Sequence, residues 1–324
     1  MRAWRFPGPS GALELTDVPD PAPAPGWVVL DVKASGLCHS DVHIVDGPGR
    51  TFVDKVPITL GHEVAGTIAA LGQGVTGFEV GQPVGVALLS QPADQRRARV
   101  RSAPGIAVDG GHAERCAVHA STLVAIPDGV DFAAAAVATD AIATGYHAVR
   151  SAGNARAGQT VGIVGLGGLG LSGLRTAALL DCNVYGVDIN NATFDHARAA
   201  GALECFTEVG DLAALRPDLI VDFAGVGATT SAALQAVRPG GRVILVGLGA
   251  TSVEVPAHTL VTTFKTLRGS LGATKDDLRR VYGLLACGDM APVLEEVPFT
   301  GLRHAFDRLR LRDVRGRLFT RPTR

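Results

Sequence analysis

A chain of 324 residues with a formal net charge of −1 has no global field to recruit nucleic acid or an anionic membrane. It is 47% apolar but only 5% aromatic, with 41 glycines, which argues for close-packed strands, small-residue helices and tight turns and against an aromatic-rich β-sandwich. No apolar run approaches the ~20 residues that span a bilayer, Met1 to Pro7 hold no signal-type core, and Cys38, Cys116, Cys182, Cys205 and Cys287 show no close pairing, so a reducing, cytoplasmic compartment without disulfides is expected.

The length suits two domains. Up to about residue 130 the chain is punctuated by Gly and Pro, and the short apolar runs Trp27 to Val32, Glu63 to Leu71 and Val80 to Leu89 predict strands joined by loops. Phe132 to Val149 is Ala-rich, lacks Pro, and predicts a helix capped by Asp131. From Thr160 strands and helices alternate. Strands are expected at Thr160 to Val164, Asn183 to Val187, Leu219 to Phe223 and Arg242 to Val246, and helices at Leu169 to Leu180, Phe194 to Ala200 and Thr230 to Val237. That rhythm predicts a doubly wound parallel sheet. It fades toward the C-terminus, where an amphipathic helix (Asp276 to Cys287), a Pro-flanked strand and a basic tail are expected to return to the first domain.

Gly165-Leu166-Gly167-Gly168-Leu169-Gly170 follows a strand directly and opens a helix, the context a dinucleotide site requires. The first glycine permits a tight turn, the second lets backbone approach a pyrophosphate, and the third allows close helix–strand packing. Asp188 ends the next strand, where a carboxylate can bind both ribose hydroxyls of NAD and repel a 2′-phosphate. Ile189, Asn190 and Asn191 offer no arginine to hold such a phosphate, which also favours NAD.

Cys38 and His62 are candidate zinc ligands, and a catalytic zinc needs three protein ligands with one position open. Asp140 is a third candidate because its helix is apolar on nearly all sides. A buried carboxylate needs a cation or several donors, and zinc, an arginine or a helix terminus would each satisfy it. His147 lies ~10 Å further along that helix, too far to share one ion with Asp140.

The motifs GxCHSDxH, GHExxG, GGHAE, TGYHA, GLGGLG and RPGGRVILVG, in order from residue 1 to about 320, resemble those of the medium-chain zinc-dependent alcohol dehydrogenases. The resemblance implies an α/β fold: a Rossmann doubly wound parallel sheet, residues 142–270, inserted in a mainly β, GroES-like catalytic domain formed by residues 1–141 and 271–324, with the active site between them. It implies Cys38, His62 and Asp140 as metal ligands, Asp140 standing where most relatives have Cys and some bacterial ones have Asp. Ser40 would bond the substrate oxygen, His43 would pass the proton to solvent, Asp41 would orient His62, and Glu63 would sit behind the metal. Thr144, Val246 and Leu271 join the glycine motif in the cofactor site, and His39 would face the pyrophosphate. Zinc acidifies the alcohol, and NAD takes the hydride.

The chain departs from many relatives in lacking cysteines between Ser90 and Gly111, so one zinc per chain and no structural zinc are expected. That stretch is basic instead (Arg96, Arg97, Arg99, Arg101). Leu88 and Leu89 suggest an aliphatic pocket wall, and Thr193 replaces a basic residue near the adenine ribose. Arg303, Arg308, Arg310, Arg312, Arg315, Arg317, Arg321 and Arg324 read as a solvated helix face and tail, with attraction of an acidic substrate as the alternative. The expected partners are a small alcohol or carbonyl compound and further copies of the chain, in a homodimer joined through the Rossmann sheets or a homotetramer. Two other functions compete: a metal-free NAD(P)H-dependent quinone or enoyl reductase of the same superfamily, and a non-catalytic NAD-binding protein.

Overall fold

The computed structural model describes all residues except 10, 48, 90–101, 312, 315, 323 and 324. The basic stretch Arg96 to Arg101 therefore lies outside the described residues, as do Arg312, Arg315 and Arg324. The chain forms two compact units, Met1–Asp140 with Ala273–Arg324, and Ala141–Gly272.

The first unit is built on the ten-residue strand Trp27–Gly36. Val28, Leu30 and Val32 alternate toward a core shared with Val64, Ile68, Val84, Val118 and Leu123. The strand pairs antiparallel with Glu63–Leu71, Arg115–His119 and Arg317–Thr320. Leu294–Glu296, Pro83–Val86 and Leu123–Ala125 complete a seven-stranded sheet. A smaller sheet of Glu14–Asp17, Arg2–Phe6 and Ile58–Thr59 lies in the same unit. Trp4, Phe6 and Ile58 pack there with Leu302, Phe306 and Leu309 of the helix Leu302–Arg310.

Register decides where the chemistry gathers. Gly36 pairs with Glu63, and Phe319 pairs with Gly36, so three strands meet at one end of the sheet. Cys38 follows one of these strands by two residues, His62 precedes another by one, and Arg317 opens the third. Gly36 is required at this crossing, because a Cβ there would overlap the Glu63 carboxylate.

The expected helix after Asp131 is capped as its sequence suggests, with the Asp131 carboxylate accepting from the Ala133 amide at 2.8 Å. It is not uniform, however. Phe132–Val137 is α-helical, Ala138–Ile142 forms a wider π turn, Ala143–Tyr146 returns to α, and His147–Ala152 widens again. Asp140 sits inside the first wide turn, a distortion that recurs where helices carry functional groups.

The second unit is a six-stranded parallel sheet in the order Glu204–Phe206, Asn183–Val187, Thr160–Val164, Leu219–Asp222, Arg242–Leu245, Thr266–Gly269. Its inner strands carry apolar residues on both faces. Val161, Ile163, Leu219 and Val221 pack on one side with Leu174 and Ala177 of the helix Gly168–Leu179, while Val164, Ile220 and Val243 pack on the other with Ala233 and Leu234 of Ala228–Ala236. Among the described residues no helix is long and apolar enough to cross a membrane.

Candidate functional site

Cys38 is the N-cap of the helix His39–Asp46, and the third residue of that helix, Asp41, accepts from the Cys38 backbone amide at 3.3 Å. The same carboxylate holds His62. Asp41 Oδ1 lies 3.2 Å from His62 Nδ1 and accepts from the Gly61 amide at 3.4 Å. One fully buried carboxylate thus fixes the backbone of one ligand candidate and the ring of another. With Nδ1 engaged, His62 presents Nε2, which lies 3.3 Å from Asp140 Oδ2 and 3.2 Å from Ser40 Oγ. Cys38 Sγ lies 3.6 Å from Asp140 Oδ2.

One ligand atom from each of Cys38, His62, Glu63 and Asp140 falls within 4.8 Å of the other three, and all four residues are buried. Thiol, imidazole and carboxylate match the donor preferences of zinc. Charge also fits a dication. Glu63 is ion-paired to Arg317, yet its Oε2 is buried without a hydrogen-bond partner. Burial would raise the Asp41 carboxyl, but the His62 charge and the His112 ring hold it well below the usual carboxylate range. Burial opposes charge on His62, but Asp41 and Asp140 raise it well above the usual imidazole value. Burial pushes Glu63 up to about 7 against the pull of Arg317. A proton on His62 Nε2 occupies the lone pair that a metal would use.

That competition gives a pH prediction. His62 and Glu63 bind protons more tightly folded than unfolded, so their stabilisation is complete below 6.5 and 4.5 respectively. It is lost as pH rises through about 7 for Glu63 and through a higher value for His62. Asp41 acts in the opposite sense, but only below 3.8. Chelator-stripped protein should therefore melt progressively earlier as the pH rises from about 5 through and beyond about 7, while zinc-loaded protein should not. A melting temperature of stripped protein that stays flat or rises over that range would refute the charge assignment.

Ser40 is beside the cluster, but the His43 ring, half-buried on the same helix, makes no hydrogen bond to a described residue. His39 Nε2 lies 3.0 Å from the Leu309 carbonyl, so the exposed ring is tied to the last turn of Leu302–Arg310, where helix carbonyls lack intrahelical donors.

The arginine-rich C-terminal stretch needs a correction. Arg317 is only 8% exposed and pairs with Glu63. Arg308 pairs with Glu295, Arg310 with Asp46 and Asp307, and Arg321 with Asp131 and Glu296, while Arg303 donates to the Leu13 carbonyl. These side chains engage the chain's own acceptors rather than form a bare cationic face. Sequence reading also passed over Ser35 and His112, which lie buried behind Asp41. The His112 signal was present in GGHAE, but nothing local tied it to Asp41.

In the second unit Gly165 takes φ +85°, open mainly to glycine, and a Cβ at Gly170 would overlap the Gly165 carbonyl. A Cβ at Gly167 would meet nothing within 4 Å, so the backbone there is approachable. Asp188 Oδ2 accepts from the Leu166 amide at 2.7 Å and Oδ1 from the Asn190 amide at 2.8 Å. The carboxylate thus pins the glycine turn to the end of Asn183–Val187. Each oxygen keeps a second acceptor site for a hydroxyl. Thr144 is buried, Val246 half-buried and Leu271 exposed. Thr193 caps its own turn by donating to the Asn190 carbonyl at 2.8 Å. A further carboxylate, Asp222, is fully buried and accepts from the Ala224 and Gly225 amides and the Thr229 and Thr230 hydroxyls, fixing the turn after its strand.

Residues 24–128 match the alcohol dehydrogenase GroES-like domain, and residues 168–286 match the zinc-binding dehydrogenase domain. An alcohol dehydrogenase of Geobacillus stearothermophilus is 30% identical over 94% of this chain and 95% of its own length. The acetophenone reductase of Geotrichum candidum, solved with NAD, is 30% identical with a TM-score of 0.89, covering 99% of this chain and 96% of that one. The alcohol dehydrogenase of Aeropyrum pernix is 25% identical with a TM-score of 0.89, covering 99% of this chain and 100% of that one.

Proposed function

We infer that this chain, which belongs to the medium-chain zinc-type alcohol dehydrogenase family, transfers a hydride between a small alcohol, or its aldehyde or ketone, and NAD(H). The observation that carries this reading is the buried convergence of Cys38, His62, Glu63 and Asp140 at one sheet end, with the Ser40 hydroxyl beside it. When bound, zinc supplies a Lewis acid for the substrate oxygen and NAD the hydride acceptor.

Cys38, His62 and Asp140 are the proposed ligands. Asp41 holds the His62 ring so that Nε2 is free to ligate. Glu63, neutralised by Arg317, stands behind them as a reserve carboxylate. Ser40 is assigned the bond to the substrate oxygen and His43 the exchange of its proton with solvent. Gly165, Gly167, Gly168, Leu169 and Gly170 receive the pyrophosphate at the helix N-terminus. Asp188 takes the ribose hydroxyls, and Thr144, Val246 and Leu271 border the cofactor. One zinc per chain follows from the absence of cysteine between residues 90 and 111. A cytoplasmic setting agrees with five free cysteines.

The assembly in this reading is a homodimer joined through the parallel sheet. Thr266–Gly269 is its edge strand, and nearby Val261 and Phe264 are 71% and 83% exposed.

The test is a steady-state screen of primary, secondary, cyclic and polyol substrates with both cofactors, alongside metal analysis. Turnover with NAD and one zinc per chain is expected. Reduction of activated double bonds by zinc-free protein would instead favour a metal-free reductase. Cofactor choice gives a separate prediction. Asp188 repels a 2′-phosphate, so wild type should favour NAD, and Asp188→Gly should cut that preference by about tenfold or more, the equivalent of ~1.4 kcal/mol. A wild-type enzyme that favours NADP in kcat/KM would sink the assignment.

A further inference from the structure

We propose that His112 is a positioning residue of the metal centre: kept in one tautomer by Ser35, it orients Asp41 and, through Asp41, the ligand nitrogen of His62. The inference rests on the zinc reading above and concerns how that site is held.

Asp41 has no exposure to solvent, so its orientation is set by the groups around it. Oδ1 receives the His62 ring and the Gly61 amide. Oδ2 receives the Cys38 amide at 3.3 Å and faces His112 Nε2 at 3.7 Å. His112 is itself fully buried, with Nδ1 at 3.0 Å from Ser35 Oγ and Nε2 in no hydrogen bond. A fully buried imidazole is costly where an apolar ring would fill the same space, and Phe306, its ring centroid 5.9 Å away, would pack against either.

The tautomer follows from the neighbours. A bare lone pair on Nε2 would face the Asp41 carboxylate and be repelled, so the proton belongs on Nε2. Nδ1 of the neutral ring is then an acceptor, and the Ser35 hydroxyl donates to it. From there every donor points the same way: Ser35 to His112, His112 toward Asp41, and His62 Nδ1 to Asp41, so that Nε2 is the His62 nitrogen a metal would use. At 3.7 Å the His112–Asp41 contact exceeds a hydrogen bond, so it acts by Coulombic orientation in a dry site. The backbone makes room for this arrangement. Gly61 has φ +95°, and a Cβ there would lie 2.6 Å from His112 Nδ1. A Cβ at Gly111 would lie 2.9 Å from Ser35 Oγ.

The experiment compares wild type with His112→Phe, His112→Gln and Ser35→Ala, all as full-length protein. Zinc affinity is measured by chelator competition, and cobalt-substituted protein supplies the ligand-field spectrum. His112→Phe keeps the ring against Phe306 but removes the charge-facing N–H. It should weaken zinc binding about tenfold, the lower end for residues behind a ligating histidine, and shift the cobalt bands. His112→Gln restores an N–H donor and should stay within about threefold of wild type, a rescue that a packing role does not produce. Ser35→Ala frees the tautomer and should cost about threefold. Equal zinc affinity and identical cobalt spectra in wild type, His112→Phe and Ser35→Ala would overturn the proposal. Should His112→Phe fail to fold, Ser35→Ala against His112→Gln decides it by the same two readouts. A wild type that binds neither zinc nor cobalt stoichiometrically would refute the zinc reading itself, an outcome distinct from metal-loaded variants that match wild type.

Discussion

Cys38→Ala should lose most of its zinc and about 10³-fold or more in kcat/KM, a barrier increase of roughly 4 kcal/mol, as expected when a Lewis acid worth several kcal/mol leaves a reacting oxygen. The magnitude follows from the site's composition. Without Cys38, the remaining cluster is one imidazole and two carboxylates, with Glu63 already committed to Arg317. Its donor set also changes, because the Cys38 sulfur sits beside the Asp140 carboxylate at 3.6 Å. Asp140 should respond according to chemistry rather than size. Asp140→Ala removes a proposed ligand and should leave zinc substoichiometric, whereas Asp140→Cys offers a softer donor at the same wide helical turn and should retain the metal. Metal content per chain, measured after dialysis against chelator, separates these cases. Full occupancy in Cys38→Ala or in Asp140→Ala would remove that residue from the ligand set.

The parts of this site that sequence reveals are those encoded within a few residues. The glycine motif is local: Gly165 takes a positive φ, and Gly170 needs to be small because a Cβ there would overlap the Gly165 carbonyl. Cys38, Ser40 and Asp41 share one capped turn, so their association is also local. The doubly wound sheet shows in the alternation of apolar runs, although Glu204–Phe206 and Thr266–Gly269 are too short and too polar to announce themselves. What stays hidden is pairing across the chain. Arg317 reads as one of many solvated charges until the register of Arg317–Thr320 against Trp27–Gly36 sets it beside Glu63, 254 residues away. His112 reaches Asp41 through long-range pairing, its backbone held to Leu60 and Trp4 just before Arg115–His119 runs along Trp27–Gly36. Asp140 shows a related limit. Its burial could be inferred from the apolar helix, but the widened turn that carries it has no periodic signature.

Ser40→Ala should reduce kcat by about 10²- to 10³-fold while leaving zinc content intact, and His43→Gln should reduce alcohol oxidation about tenfold at low pH and less at high pH. Ser40 Oγ lies 3.2 Å from His62 Nε2, so the hydroxyl is within reach of whatever the ligand nitrogen contacts, yet neither Ser40 nor His43 belongs to the ligand cluster. Alcohol oxidation must release a proton as well as a hydride, and in the proposed reading Ser40 is the hydroxyl that receives the first proton from the substrate oxygen. His43 lies three residues further along the helix His39–Asp46, nearly one turn, on the half-buried side. Its ring makes no hydrogen bond to a described residue, which leaves both nitrogens available to exchange protons. The loss of His43 should be felt most at low pH, where hydroxide is too scarce to take over the proton. The two variants therefore differ in kind. Ser40→Ala removes the group proposed to touch the reacting oxygen and should depress the rate at every pH, whereas His43→Gln should steepen the acid limb of the pH–rate profile. Steady-state profiles from about pH 6 to about pH 9, with zinc analysis of the same samples, test both. If His43→Gln leaves the profile unchanged, or Ser40→Ala keeps full activity, the proton leaves by other residues, and the turn after Cys38 serves the metal alone.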